Sequence, residues 1–124
     1  MINMNNYQVL LFDKLSSINI SVYDKVEEDA KLPFLHLGDY KLSLGNAKYD
    51  DYKLNQVINV WSDYEGKKEV NDLLNIICTC IQELNDTEID ELYSISDIKF
   101  LSANVYEIDG YYKAEIEFEF FIEE

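Results

Sequence analysis

The feature that most constrains this chain's fold is a hairpin signal near its C-terminus. Asp109 and Gly110 separate two alternating segments, and this dipeptide is typical of a two-residue type I′ turn. Such a turn pairs residues whose numbers sum to 109 + 110 = 219. The predicted apolar pairs are Val105 with Ala114, Ala103 with Ile116 and Leu101 with Phe118, and the polar pairs are Asn104 with Glu115 and Ser102 with Glu117. Because a slip of one residue would exchange the two faces, this agreement predicts both the hairpin and its register.

Hydrophobic periodicity predicts two helices. Asn5 and Asn6 are candidate caps for the first, and Ser62–Glu65 has the S-x-x-E form of a capping box that predicts the start of the second. The second helix should end at Asn85–Thr87, and residues 88–92 are ambiguous, with one further helical turn as one option. The apolar stripe is Tyr7, Leu10, Leu11, Leu15 and Ile18 in the first helix, and Val70, Leu73, Leu74, Ile77, Ile81 and Leu84 in the second.

Alternation with a period of two predicts the remaining strands. A short one spans residues 18–23, and a longer one starts at Phe34 and contains Gly38, which indicates a bulge or bend. Residues 54–61 form the returning strand, after a polar hairpin tip at residues 45–51. This order of elements predicts one α+β domain over residues 1–124, with an antiparallel sheet of about five strands and two helices packed on one face.

The charge distribution argues against nucleic-acid binding. The chain has 25 acidic residues against ten lysines and no arginine, so its net charge is −15. Binding to a phosphate backbone depends on Lys and Arg, and we therefore expect no specific nucleic-acid binding. On the polar face of the sheet, Glu115, Glu117 and Glu119 should stand in a row about 7 Å apart, with Phe121 on the same face. Such a row is tolerable where it is well solvated or where a partner supplies cations, so this face is either a wet surface or an interaction surface.

No arrangement of residues indicates catalysis or metal binding. His36 is a lone histidine in an apolar strand, which is typical of a partly buried or interface side chain. Cys78 and Cys80 would point about 200° apart on a helix, so they are predicted to be packing residues. We predict no catalytic residue, no metal and no cofactor. Without a leader or a long apolar run, the expected location is the cytoplasm, with no membrane contact.

Three segments carry a resemblance to a known family. They are Val22-Tyr23-Asp24, the segment from Leu32 to Asp39 with its P-F-x-x-x-G-D pattern, and the segment from Ile58 through V-W-S into Gly66–Val70. With the order of elements, they make the chain resemble the tail-terminator and tail-completion proteins of long-tailed phages.

The resemblance implies a role in assembly without catalysis. A small α+β subunit would form a ring, expected to be a hexamer, on the head-proximal end of a tail tube, where it ends polymerisation and offers a surface to the neck or head. The implied partners are further copies of the chain and the tail tube protein, with sheath and neck proteins as additional candidates. The implied location is a virion or phage-tail-like particle assembled in the bacterial host cytoplasm.

Two groups of residues are candidates for the interface. One is the hairpin tip, with Gly45, Asn46, Ala47, Lys48 and Tyr49, and the other is the row of Glu115, Glu117, Glu119 and Phe121. In a ring around a DNA channel, an acidic lumen would keep DNA sliding, which is a hypothesis for the glutamates. Related chains often carry basic residues in the last segment, whereas residues 115–124 contain five glutamates and no lysine. The particle to which the chain belongs could therefore also be a headless tail-like particle.

Three alternatives to the tail terminator also stay open. One is a head–tail connector, or neck protein. A second is a small ligand-binding module or enzyme around His36. A third is an acidic mimic of DNA.

Overall fold

The fold is a five-stranded sheet with two helices. The computed structural model describes residues 1–45 and 51–124, with α1 (Met4–Ser16), β1 (Ser21–Tyr23), β2 (Phe34–Leu44), β3 (Tyr52–Ser62), α2 (Lys68–Gln82), β4 (Ser94–Ile108) and β5 (Tyr111–Glu123). The strand order is β1-β2-β3-β5-β4. This confirms the predicted α+β class. The sheet is mixed, however, because β1 and β2 are parallel and only the other neighbours are antiparallel.

The C-terminal hairpin has the predicted turn and most of the predicted register. Asp109 and Gly110 have φ values of 52° and 82°, as a type I′ turn requires. Pairs whose numbers sum to 219 run from Ile108 with Tyr111 down to Ser102 with Glu117. Beyond these pairs the prediction is wrong. A bulge after Phe100 makes Phe100, and not Leu101, the partner of Phe118. The bulge leaves Leu101 exposed and sets the Phe100 ring edge-on to Phe118, with centroids 6.0 Å apart.

The predicted bulge in β2 is confirmed between Leu37 and Tyr40. Its glycine is required by close packing, since a Cβ on Gly38 would lie 2.9 Å from the Asn59 amide nitrogen and 3.0 Å from the Val57 carbonyl oxygen. No larger residue fits there without a shift of β3.

The core lies between the helices and one face of the sheet. The predicted stripe of α2 is confirmed, although Leu74 is only partly buried. On β5, alternate residues are fully buried, and they are Ala114, Ile116, Phe118, Phe120 and Ile122. Both helices therefore cover the same face, as predicted. None of the helices within the described ranges is long and apolar enough to cross a bilayer.

Both helices begin at other residues than predicted. α1 is capped by Asn3, whose side-chain oxygen accepts the Asn6 N–H at 3.1 Å. α2 begins at Lys68, so the capping-box prediction is wrong. Ser62 is instead the last residue of β3, and its hydroxyl donates to the Glu69 carboxylate at 2.6 Å.

Two connections also differ from their predictions. The first strand begins at Ser21 rather than at residue 18, because a turn with Asn19 at φ 66° follows α1. Residues 88–92 are not a helical turn. Their loop is held by the Asp90 carboxylate, which accepts the N–H groups of Asn3, Leu92 and Tyr93.

Candidate functional site

The sheet face opposite the helices, which we name the open face, contains the four residues of the predicted row. Residues paired across strands share a face, so the register assigns each side chain to one side. In β5 the open face takes the odd-numbered residues, which include Glu115, Glu117, Glu119 and Phe121 as predicted. The neighbouring positions are Phe34, His36, Lys41 and Ser43 in β2, the odd-numbered residues 53–61 in β3, and Asp97, Lys99, Ser102, Asn104 and Tyr106 in β4.

The open face is nearly neutral although the chain is strongly acidic. At the positions that the strand register pairs, its carboxylates are Asp97, Glu115, Glu117, Glu119 and Glu123, and its lysines are Lys41, Lys53, Lys99 and Lys113. These paired positions therefore carry 4 − 5 = −1 of the net charge of −15. Four lysines of the chain itself thus lie on the same face as the glutamates, and one of them, Lys113, forms an ion pair with Glu115. A second acidic chain can approach this face without strong net repulsion.

Two of the three glutamates in the row, Glu115 and Glu117, have polar side-chain partners in the sheet. The Tyr106 hydroxyl donates to the Glu115 carboxylate at 2.5 Å, and the Lys113 ammonium lies 3.3 Å from the same oxygen. The Tyr106 hydrogen bond, and then the Lys113 contact, lower the pKa of Glu115 below its ordinary value. Glu117 accepts a weaker hydrogen bond from the Asn55 amide at 3.4 Å. The contacts within the described part of the chain therefore fix Glu115 more firmly than the other glutamates of the row.

Three aromatic rings and one lysine lie together at one end of the open face. Phe34 stacks on Trp61 with centroids 6.5 Å apart, and the Lys113 ammonium lies 4.8 Å from the centre of Trp61 and 6.0 Å from that of Tyr106. We name these four residues the aromatic row. A lysine over an aromatic face is attracted by the ring quadrupole, so the row combines apolar rings with a positive charge.

The opposite end of the open face repeats this chemistry around Phe121. The ammonium groups of Lys53 and Lys99 lie 5.7 and 5.0 Å from the centre of its ring. Neither lysine has a salt-bridge partner within 4.0 Å in the described ranges. Phe121 thus lies between two cations on an acidic chain.

A shallow, mainly apolar concavity of about 490 Å³ adjoins the aromatic row. Its lining consists of Val26, Leu32, Phe34, His36, Asn59, Trp61, Tyr111 and Lys113. Trp61 and Lys113 were not among the predicted interface residues. The available signal was that Trp61, the single tryptophan, alternates onto the opposite side of its strand from the buried residues.

His36 supports the strands through both ring nitrogens. Its Nδ1 accepts from the Asn59 side-chain amide at 3.1 Å, which leaves Nε2 to donate to the Asp24 carbonyl oxygen at 3.1 Å. The ring is half-buried and links β2, β3 and the segment after β1. This arrangement agrees with the predicted partly buried or interface side chain.

The cysteines lie in the helix layer. The Cys80 thiol is buried and donates to the Lys14 carbonyl oxygen at 3.4 Å, so it joins α2 to α1. Partial burial raises the pKa of the Cys78 thiol. The described residues contain no group of three or more His, Cys, Asp or Glu side chains placed to hold a metal ion.

The predicted hairpin tip is described only at its ends. Gly45 is half-buried and its N–H donates to the Asp51 carbonyl oxygen at 2.9 Å. Asn46, Ala47, Lys48 and Tyr49 lie outside the described residues. Their role at an interface stays a prediction.

The fold has a counterpart among solved structures. No protein-family model and no curated protein matches the sequence. The chain is similar to a chain of the virion of a native gene transfer agent (GTA) particle, with a TM-score of 0.74, 15% sequence identity and 92% of each chain covered. At this identity the similarity establishes a shared fold over nearly the whole of both chains.

Proposed function

We propose that this protein is a structural subunit of a phage or phage-like particle, in which copies form a ring on the head-proximal end of the tail tube. The ring ends tube polymerisation and offers a surface to the neck or head. The observation that carries this proposal is the fold shared with a chain of a GTA virion over 92% of both chains. The segments that carry the resemblance to tail terminators lie in the sheet, since Phe34–Asp39 form the first half of β2 and Val60–Ser62 end β3.

The open face supports a role in assembly. Its paired positions carry a charge of only −1, and it presents the aromatic row beside an apolar concavity. Aromatic residues are enriched in protein interfaces, where they supply most of the contact energy. We propose that the open face contacts the neighbouring proteins of the particle.

Deletion of the gene from its parent phage or prophage tests the ring-cap role. Without a cap, we expect electron micrographs to contain tubes of uncontrolled length that lack attached heads, and we expect the wild-type gene to restore uniform tails. Normal tails with heads attached would contradict the proposal. A ring on the portal side of the neck, with tube length unchanged, would identify a connector instead.

A pair of matched charge reversals tests the open face. Lys99→Glu changes an exposed lysine on this face, and Lys68→Glu makes the same change on α2, on the opposite side of the sheet. We expect Lys99→Glu to lower the yield of capped tails at least about tenfold, because it adds repulsion where another acidic surface docks. Lys68→Glu should leave the yield unchanged. Equal yields for two folded variants would exclude this face.

A further inference from the structure

β4 is a free edge of the sheet, and half of it lacks the usual protection. Natural edge strands are blunted by charges, proline or bulges, because an exposed strand invites pairing with another chain. The two bulges of β4 lie before Ser102. Residues 102–108 contain no bulge, no proline and no glycine, and Glu107 is their one charged residue. This segment is therefore competent to pair with a further strand.

The turn defines which backbone groups of β4 point outward. In a two-residue hairpin the residues that flank the turn, Ile108 and Tyr111, form a hydrogen-bonded pair, and such pairs alternate with non-bonded ones. Ala103, Val105 and Glu107 therefore direct their N–H and C=O groups away from β5. No backbone partner for these groups is present in the described part of the chain.

The other edge of the sheet is β1, which has a matching direction. β1 and β2 are parallel, and the three steps from β2 through β3 and β5 to β4 are all antiparallel. β4 therefore runs opposite to β1. When copies are arranged around an axis along the strands, the β4 edge of one copy meets the β1 edge of the next in the antiparallel direction, which gives the more stable ladder.

We infer that β4 of one copy pairs with β1 of the next copy, so that the sheets join edge to edge around a ring. This inference rests on the proposed ring and names the surfaces that close it. Neither Ser21–Tyr23 nor residues 102–106 carry a charge, so two acidic chains can approach at these edges. Val22 and Val105 both lie on the helix side, where they extend the apolar layer from one copy to the next. Because the two surfaces differ, the contact is head-to-tail, as a closed ring requires.

A proline substitution at the edge tests the backbone contact. Val105→Pro removes an outward N–H without removing a hydrogen bond to β5, and Val105→Ala is the control that shortens the side chain and keeps the N–H. We expect the proline variant to weaken subunit association about fivefold relative to the alanine variant in sedimentation velocity, which is the effect of one backbone hydrogen bond. Equal association of the two folded variants would overturn the inference.

Cross-linking tests the choice of edges even if the proline variant fails to fold. Ser21→Cys and Asn104→Cys each place a thiol on an exposed position of one edge. The two proteins are mixed and treated with a bis-maleimide about 10 Å long, which tolerates a shift of one register step of about 7 Å. We expect linked peptides that join position 21 to position 104, above the background of the wild-type cysteines.

Other cross-linking outcomes separate this inference from the proposed function. Links between two copies of position 104 would indicate β4-to-β4 dimers and overturn the inference. Rings without any link at these edges would overturn it and leave the proposed function standing. A chain that stays monomeric at millimolar concentration and in the presence of tail tubes would overturn both.

Discussion

A buried polar chain that ties α1 to the bulge of β2 gives the sharpest prediction for stability. The Tyr7 hydroxyl donates to the Gln56 side-chain oxygen at 2.8 Å, and the Gln56 nitrogen donates to the Gly38 carbonyl oxygen at 3.1 Å. Tyr7 is 1% exposed and Gln56 is 2% exposed. Because both side chains are almost completely buried, the loss of one partner leaves the other without its hydrogen bond from within the protein.

Tyr7→Phe isolates that hydrogen bond. The substitution keeps the ring and its packing and leaves the Gln56 oxygen buried and unsatisfied. An unsatisfied buried acceptor costs about 1–3 kcal/mol, so we expect the free energy of unfolding to fall by about 2 kcal/mol. For a domain of this size, such a loss corresponds to a decrease in Tm of roughly 6–8 °C.

Urea unfolding followed by Trp61 fluorescence and by far-UV circular dichroism measures the effect. Tyr40→Phe is the matched control, because Tyr40 is 47% exposed and its ring contacts Tyr7 edge-on at a centroid distance of 6.3 Å. We expect the control to lie within about 0.5 kcal/mol of the wild type. A Tyr7→Phe variant as stable as this control would refute the burial argument.

Three further predictions concern single residues. Burial, reinforced by Tyr40, raises the pKa of the Tyr7 hydroxyl well above 10.0, so the stability that its neutral form contributes is complete below pH 10 and is lost at higher pH. The free energy of unfolding, measured by urea titration at several pH values above 10, should therefore fall less with pH for Tyr7→Phe than for the wild type. The Tyr106 hydrogen bond and Lys113 lower the pKa of Glu115 below 4.5, so its contribution is present above that pH and is lost on acidification; Glu115→Gln should reduce the loss of stability below pH 4.5, and an unchanged acid profile would contradict this. Gly38→Ala should lower the stability by about 1–3 kcal/mol in thermal unfolding because its Cβ would meet β3, whereas an unchanged Tm would mean that the bulge can move.

The parts of the fold that depend on local chemistry were predictable. The turn at Asp109-Gly110 and the alternation beside it specify the register down to Ser102 with Glu117, because turn geometry and the period of two act over a few residues. The stripe of α2 was predictable for the same reason. The bulge after Phe100 was not predictable. It places Phe100 opposite Phe118 in the position predicted for Leu101, and the ring contact that accompanies this pairing joins residues 18 positions apart in the sequence.

The helix starts were a second failure with a tertiary cause. Ser62–Glu65 satisfies the local rule for a capping box, but Ser62 is held in β3 by its pairing with Tyr112 of β5. Its hydroxyl is then directed to Glu69. A sheet contact between residues that are 50 positions apart in the sequence thus overrides a local signal that spans four residues.

By itself the sequence determines the buried sides of β3 and β5, the C-terminal hairpin, the two helices and the large negative charge. It also places Glu115, Glu117 and Glu119 on one face. Only the tertiary structure decides that β3 lies beside β5, and therefore that Lys53 and Lys99 lie over the same ring beside these glutamates. The physical reason is that side-chain periodicity is a local property, whereas lateral neighbours in a sheet are chosen by how the helices and all five strands bury their apolar surface together.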